Sequence, residues 1–183
     1  MDHKRMTDWP TDQPILTTDR LRLRSLDSGD AGRLAILRSS PEVNRYLDRP
    51  KQIDTKEAEA FVAKISTGIA GQKWLYWALC PKGQQKLIGT ICLWNFSEDR
   101  TMAEIGYELL SAWQGQGLMD EALKAVVKYA FEHTSLQTIE AFTRPMNRAS
   151  TLLLERNGFR LDAGGRSSGD IGYLVYQLGK ADH

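Results

Sequence analysis

Glu104-Ile-Gly-Tyr-Glu-Leu-Leu-Ser-Ala-Trp-Gln-Gly-Gln-Gly-Leu-Met-Asp-Glu-Ala122 is the stretch that decides the fold of this 183-residue chain. It reads as a strand, a glycine-bearing turn and the start of a helix. That order gathers free backbone N–H groups at a helix N-terminus, where phosphates bind. Gln114, Gly115, Gln116 and Gly117 form the turn, so little side-chain bulk separates a ligand from the backbone. Gly115-x-Gly117 alone also suits an ordinary loop. It is no dinucleotide fingerprint, because the third glycine and the later acidic residue are missing, and no P-loop, because no Gly-Lys-Ser/Thr follows. Its place between a strand and the best-marked helix of the chain favours the phosphate cradle.

That helix carries Met119, Ala122, Leu123, Val126, Val127, Ala130 and Phe131 on one face at near-ideal spacing. Before the stretch lie three strand-like runs at 74–80, 86–96 and 102–110, the first two separated by Pro81-Lys-Gly-Gln-Gln, a hairpin turn. Earlier still, Asp54 and Glu57 have capping-box spacing. Ala58, Phe61, Val62, Ile65 and Ile69 follow at helical spacing, and Gly71 fits the stop. A short helix is expected between Asp30 and Arg38. Leu21-Arg-Leu-Arg-Ser alternates, which predicts a strand with one wet face. After the stretch come a strand at 138–142, a helix at 147–156 stopped by Asn157-Gly158, and two closing strands near 159–163 and 171–178 around a Gly/Ser-rich loop at 164–169. Strand, two helices, three strands, helix, strand, helix, two strands is an α+β order: a mixed, mostly antiparallel central sheet flanked by helices.

Composition narrows the function classes. Apolar residues make up 42% and charged residues 26%, which suits a globular domain. Residues 15–183 read as that single domain, and residues 1–14, polar with Pro10 and Pro14, as a loose arm. A net charge of +1 gives no broad case for nucleic acid or a membrane surface as partner. No apolar run reaches the ~20 residues of a membrane span. The first residues lack the apolar core of a signal peptide, so the cytoplasm is the default location. Cys80 and Cys92 sit in strand-like runs as expected buried thiols, with no spacing for a metal.

Three segments carry a resemblance. Gln114-x-x-Gly117-x, after Gly106-Tyr107 and before an Ala-rich amphipathic helix, resembles motif A of the GNAT superfamily of N-acetyltransferases, Gln/Arg-x-x-Gly-x-Gly/Ala. Asn147-Arg-Ala-Ser-Thr-Leu-Leu-Leu-Glu-Arg-Asn-Gly-Phe159 resembles its motif B. Thr17-Thr-Asp-Arg-Leu-Arg-Leu-Arg24 is similar to the first strand of the branch that holds the ribosomal-protein N-terminal (alanine/serine) acetyltransferases. The likeness runs from about Ile15 to Leu178.

The resemblance implies the GNAT acyltransferase fold and acetyl-coenzyme A as cosubstrate, with no metal. It implies that the backbone of Gln114, Gly115, Gln116, Gly117, Leu118 and Met119 holds the pyrophosphate. The strand 104–109 would splay from its neighbour and pair with the pantetheine arm. N–H groups near Ile105, Gly106 and Tyr107 would polarise the thioester carbonyl. Asn147 would hydrogen-bond the pantetheine arm and Ser150 would lie near the sulfur. Two positions depart from the motif. Met119 stands where motif A has Gly or Ala. Asp120 stands where a Thr often reaches a phosphate, so it either turns away from a pyrophosphate or weakens its binding.

The catalytic pair implied is Glu104 and Ser150. Many relatives use a motif B tyrosine as acid, but its register here is Leu154. Ser150 takes the role by hydrogen bonding; helix N-terminal capping is its other reading. By strand alternation Glu104 and Glu108 share a face. Glu104 is the expected general base, because the branch often has Glu there; the alternative is a solvated strand carboxylate. A peptide α-amine of pKa ~8 costs roughly 1.4 kcal/mol to deprotonate at pH 7, a lysine of ~10.4 roughly 4.6 kcal/mol, so a modest base suits an α-amine. His133, closing the long helix, reads as a dipole partner rather than a catalyst. Trp74, Trp77 and Trp94 read as core or cleft walls, Trp113 as a brace of the turn, and Arg22, Arg24 and Arg45 as exposed salt-bridge formers, contact with an acidic acceptor being their other reading. The function these features imply is direct acetyl transfer to a primary amine, foremost a protein N-terminus such as that of a ribosomal protein. A small-molecule amine and a non-catalytic acyl-coenzyme A sensor are the alternatives. Monomer and homodimer are both open.

Overall fold

The computed structural model describes residue 10 and residues 12–49, 53–162 and 172–183. The strands are β1 (Leu16–Thr17), β2 (Leu21–Ser25), β3 (Leu75–Pro81), β4 (Gly89–Trp94), β5 (Met102–Leu109), β6 (Thr138–Thr143), β7 (Arg160–Leu161) and β8 (Leu174–Gly179). The helices are α1 (Ala31–Ser39), α2 (Pro41–Asn44), α3 (Thr55–Ala70), α4 (Leu118–His133) and α5 (Arg148–Arg156). One sheet runs β1-β2-β3-β4-β5-β6-β8-β7, antiparallel except for the β5–β6 pair. This is the mixed α+β architecture that the element order predicts. No helix among the described residues is long and apolar enough to cross a membrane.

Alternation along the strands loads both faces of the sheet. Leu23, Leu75, Trp77, Ile91, Leu93, Ala103 and Ile105 form one face and pack against the apolar stripe of α4. Tyr76, Ala78 and Cys80 form the other, under α1 and α3. The Asp54/Glu57 capping box has both arms in place, at 2.8 Å each, and Gly71 caps the far end of α3. His133 ends α4 and stacks on Tyr129.

Three local expectations change. The polar face of β2 is not wet: Arg24 is 8% exposed and makes two hydrogen bonds, of 2.7 and 2.8 Å, to the buried carboxylate of Asp30. Alternation alone cannot show that a charge has a buried partner. The run 86–96 is a strand only over Gly89–Trp94, although Ile88 still bonds to both neighbours, its N–H to Leu79 and its carbonyl from Leu110. In the N-terminal arm, Gln13 brackets the backbone of Tyr76 and the Pro14 carbonyl accepts from the Trp77 indole. The rest of the arm except Pro10 and Asp12, and the Gly/Ser-rich loop at 164–169, lie outside the described residues.

Candidate active site

β5 and β6 part company midway. They pair at Met102–Thr138, Ala103–Ile139 and Glu104–Glu140, and no further. Each keeps its outer partner: β5 runs with β4 to Leu109, and β6 with β8 to Thr143. Two glutamates opposite each other at the last shared rung disfavour its extension. The result is a V open toward the C-terminal ends of both strands. Backbone direction alternates along a strand. The Leu110 N–H bonds to Ile88 on the β4 side, and the Thr101 carbonyl accepts on the β6 side. Tyr107 therefore aims its N–H group into the V, whereas Ile105, on the same side, faces Glu140 at the last shared rung and Gly106 turns its amide toward β4.

The glycine turn stands at the mouth of the V. Gly115 and Gly117 have φ of 72° and 76°, a left-handed conformation that glycine adopts without strain. Gly117 caps α4 with no side-chain acceptor, so the first-turn N–H groups of Leu118, Met119 and Asp120 have no side-chain cap. Around Gly115 a Cβ would meet open space. Polar side chains fix the rest of the turn. Gln114 donates to the Leu109 carbonyl at 2.7 Å, Gln116 to Ala112 at 3.0 Å, and Arg20 to the Gln116 carbonyl at 2.9 Å. Met119 packs sideways on the core. Asp120 is turned to protein partners: Asn157 donates to Oδ1 at 2.8 Å and Lys124 to Oδ2 at 2.7 Å. Partial burial opposes the Asp120 charge, but Lys124 and Asn157 outweigh it and hold the pKa below the ordinary 3.8.

Motif B supplies the other wall. Asn147 is the N-cap of α5, its Oδ1 accepting from the Ser150 N–H at 3.3 Å. Capping thus falls to Asn147 and not to Ser150. The buried Ser150 hydroxyl lies 2.8 Å from the Tyr107 hydroxyl, which reaches over from β5. Burial pushes the Tyr107 phenol up to about 12, with the Ser150 bond pulling back. Leu154 is fully buried in the core.

Glu104, Gly106 and Glu108 line the opposite face of β5, with Cys92 and Trp94 beside them. Burial raises the Glu104 pKa, the Asn95 amide (2.6 Å) lowers it, and the Glu140 charge raises it further; the net shift is upward from 4.5. Glu108 is tied down instead. Arg49 meets it at 2.6 Å, Arg38 at 3.9 Å and Thr90 at 3.2 Å. Cys92 is a free thiol that burial, then the Glu108 charge, pushes up to about 12. At neutral pH it is a thiol, not a nucleophilic thiolate. Among the described residues no cluster of His, Cys, Asp and Glu is placed to hold a metal ion.

The V, the turn and α5 bring together Ile105, Tyr107, the 114–119 turn, Asn147 and Ser150; Glu104 stands on the other face of the same strand. Three functional candidates escape sequence reasoning. They are the Tyr107 hydroxyl, Arg38 and Arg49. The tyrosine was legible as a strand residue, but its partner lies 43 positions away, and the arginines come from helix and loop segments without a motif.

A splayed β5–β6 pair above a glycine turn at a helix N-terminus defines an acyltransferase of the acyl-coenzyme A class. Comparison with known proteins agrees. The acetyltransferase (GNAT) domain family matches residues 20–160, and the chain belongs to that family. It is 31% identical over 166 residues to the uncharacterized N-acetyltransferase YoaA of Bacillus subtilis, covering 91% of this chain and 90% of that one. It is 30% identical over 152 residues to the ribosomal protein uS5-alanine N-acetyltransferase of Escherichia coli, covering 79% and 77%. The fold matches that of Mycobacterium smegmatis RimJ in complex with CoA-disulfide with a TM-score of 0.77 at 20% identity, over 93% and 89% of the two chains. The protein is a GNAT acetyltransferase related to ribosomal-protein acetyltransferases.

Proposed function

We propose that this acetyltransferase moves the acetyl group of acetyl-coenzyme A directly to an N-terminal α-amine of a protein, a reading supported by its likeness to a relative named as a ribosomal protein uS5-alanine N-acetyltransferase. The observation that carries the reading is the V itself. Its Tyr107 N–H group lies beyond the last rung shared with β6, and it is flanked by the Tyr107–Ser150 hydroxyl pair on one face and by Glu104 on the other.

The residues fit the cofactor. The uncapped N–H groups at the start of α4 suit a pyrophosphate, and the open edge of β5 suits an extended amide-bearing arm. When bound, acetyl-coenzyme A supplies the acetyl group as a thioester. The Tyr107 N–H would donate to the thioester oxygen and stabilise charge as it develops there. Ser150, held by Asn147 and Tyr107, donates a hydrogen bond to the departing sulfur. Full proton transfer from Tyr107 to a thiolate of pKa ~8.5 would run uphill by roughly 3–4 units, so the pair acts by hydrogen bonding. Glu104, with its raised pKa, accepts the amine proton. Cys92, held protonated, takes no part, which favours direct attack over an acyl-enzyme.

The test is calorimetric titration with acetyl-coenzyme A, followed by a thiol-release assay over peptides with free N-termini, lysine-bearing peptides with blocked N-termini, and small amines. Turnover confined to free peptide N-termini is expected. Turnover on small amines alone would reassign the acceptor. Binding without turnover would make the protein a sensor.

A further inference from the structure

We infer that the acceptor carries a carboxylate, recognised by Arg38 and Arg49 on the Glu108 end of the β5 face; this rests on the acetyl-transfer reading above. The proposal comes from a charge imbalance. Arg38 from the last turn of α1 and Arg49 from the segment after α2 converge on one carboxylate, Glu108. All three are largely buried, with side-chain exposures of 17%, 15% and 7%. Among the described residues the other groups in contact with them are neutral: Asn44 accepts from Arg49 Nε at 2.7 Å, Thr90 and the Tyr76 hydroxyl chain onto Glu108, and Phe61 lies 4.2 Å under the Arg38 guanidinium. Two cations face one anion in a place where charge is costly unless matched. Arg38 also has a buried Nε with no hydrogen-bond acceptor among the described residues. An anion from the ligand would supply the missing charge to the guanidinium pair.

Position along β5 sets where that anion sits. Glu104, Gly106 and Glu108 share one face and step about 7 Å per pair of residues. An amine bound between Glu104 and Gly106 has the arginine pair roughly one such step away. The face is therefore dipolar, with a carboxylate at the amine end and surplus guanidinium at the other. It suits an acceptor whose amine and acid groups are that far apart, such as a peptide with Asp or Glu next to its free N-terminus. It disfavours one with Lys or Arg there.

The experiment compares kcat/KM for paired peptides that differ only by acid against amide, Ala-Glu against Ala-Gln and Ser-Asp against Ser-Asn. The wild-type enzyme should prefer the acid by roughly 10- to 100-fold, the range of a charge-assisted hydrogen bond. The preference should lie mainly in KM and shrink at high salt. R38Q should bring the ratio close to one, and R38K should restore part of it. Thermal unfolding and coenzyme A titration confirm that each variant is folded. The wild-type ratio stands as a test even if R38Q fails to fold. A ratio of one or below overturns the inference while leaving acetyl transfer intact. An acid preference that survives in folded R38Q overturns it too. Failure to acetylate any amine removes the acetyl-transfer reading and this inference with it.

Discussion

The Tyr107 hydroxyl lies 2.8 Å from the Ser150 hydroxyl, joining β5 to α5 across the open V. Two hydroxyls in contact cannot both aim a proton at the same partner. One orients the other, and on the proposed mechanism the chain would end at the sulfur. Ser150→Ala and Tyr107→Phe should each lower kcat by roughly 10- to 1000-fold with little change in KM, within the usual reach of acid–base groups. The double variant should lose little more than the worse single one, since the pair acts as a unit. Steady-state kinetics on the four proteins measures the coupling.

As the proposed general base, Glu104 should set the acid limb of the rate profile. Its pKa is raised from 4.5, first by burial and then by Glu140. Only the ionised carboxylate accepts a proton, so kcat/KM should climb as pH rises through that elevated value. Glu104→Gln should flatten the limb and cut the rate by roughly 100- to 10,000-fold. Stability runs the other way. A carboxyl whose folded pKa is raised binds its proton more tightly when folded, so it favours folding at low pH and opposes it above the folded pKa. The Gln variant should be no less stable than wild type at pH 7, by thermal melting.

Gly117→Ala tests the turn. The residue has φ of 76°, and its new Cβ would lie 3.4 Å from an Arg20 nitrogen. The left-handed conformation costs a non-glycine residue roughly 1–2 kcal/mol. The melting temperature should fall, and coenzyme A affinity should fall with it as the α4 N–H groups shift. Unchanged affinity by titration calorimetry would separate the turn from the cofactor.

Much of this arrangement was legible in the chain. The Asp54/Glu57 capping box, the Met119–Phe131 stripe and the glycine turn are local patterns, set by neighbours within a few residues. Glu104 and Ser150 were legible only through the motifs around them. What stayed hidden depends on distant partners. Arg24 read as a wet strand residue because Asp30, which buries it, follows the strand instead of facing it in a pattern. Tyr107 read as a backbone contributor because Ser150 is 43 positions on. Arg38 and Arg49 gave no signal, since α1, the segment after α2 and β5 meet only in the folded sheet. Asp120 read as a threat to phosphate binding until Asn157 and Lys124 were seen to hold it.

Asp30 should prove one of the costliest polar positions in the protein. Asp30→Asn leaves the buried Arg24 guanidinium with only the exposed Asp27, 3.4 Å away, as counter-charge, and removing the buried partner of such a pair costs roughly 3–5 kcal/mol. Joint replacement by Arg24→Met and Asp30→Leu should restore most of that loss. Denaturant unfolding gives both values; a single variant as stable as wild type would show the ion pair to be unimportant.

Asp120 gives an acid-stability signature. Its folded pKa lies below 3.8 because Lys124 and Asn157 outweigh partial burial. The stabilisation is present above the ordinary carboxylate value and is lost as pH falls through the depressed one. Asp120→Asn should therefore narrow the gap to wild type as the pH drops from about 5 toward 2. Melting curves across that range check the sign.

Arg20 belongs to the bend between β1 and β2, at the far edge of the sheet, yet it donates to the Gln116 carbonyl and to Glu121. Thr18 holds the same Glu121 carboxylate. One glutamate in the first turn of α4 thus fastens the N-terminal hairpin to the lip of the cofactor turn. Neither piece opens without releasing the other. The two should exchange their amide hydrogens as a single cooperative unit, slowing together when a nucleotide is added.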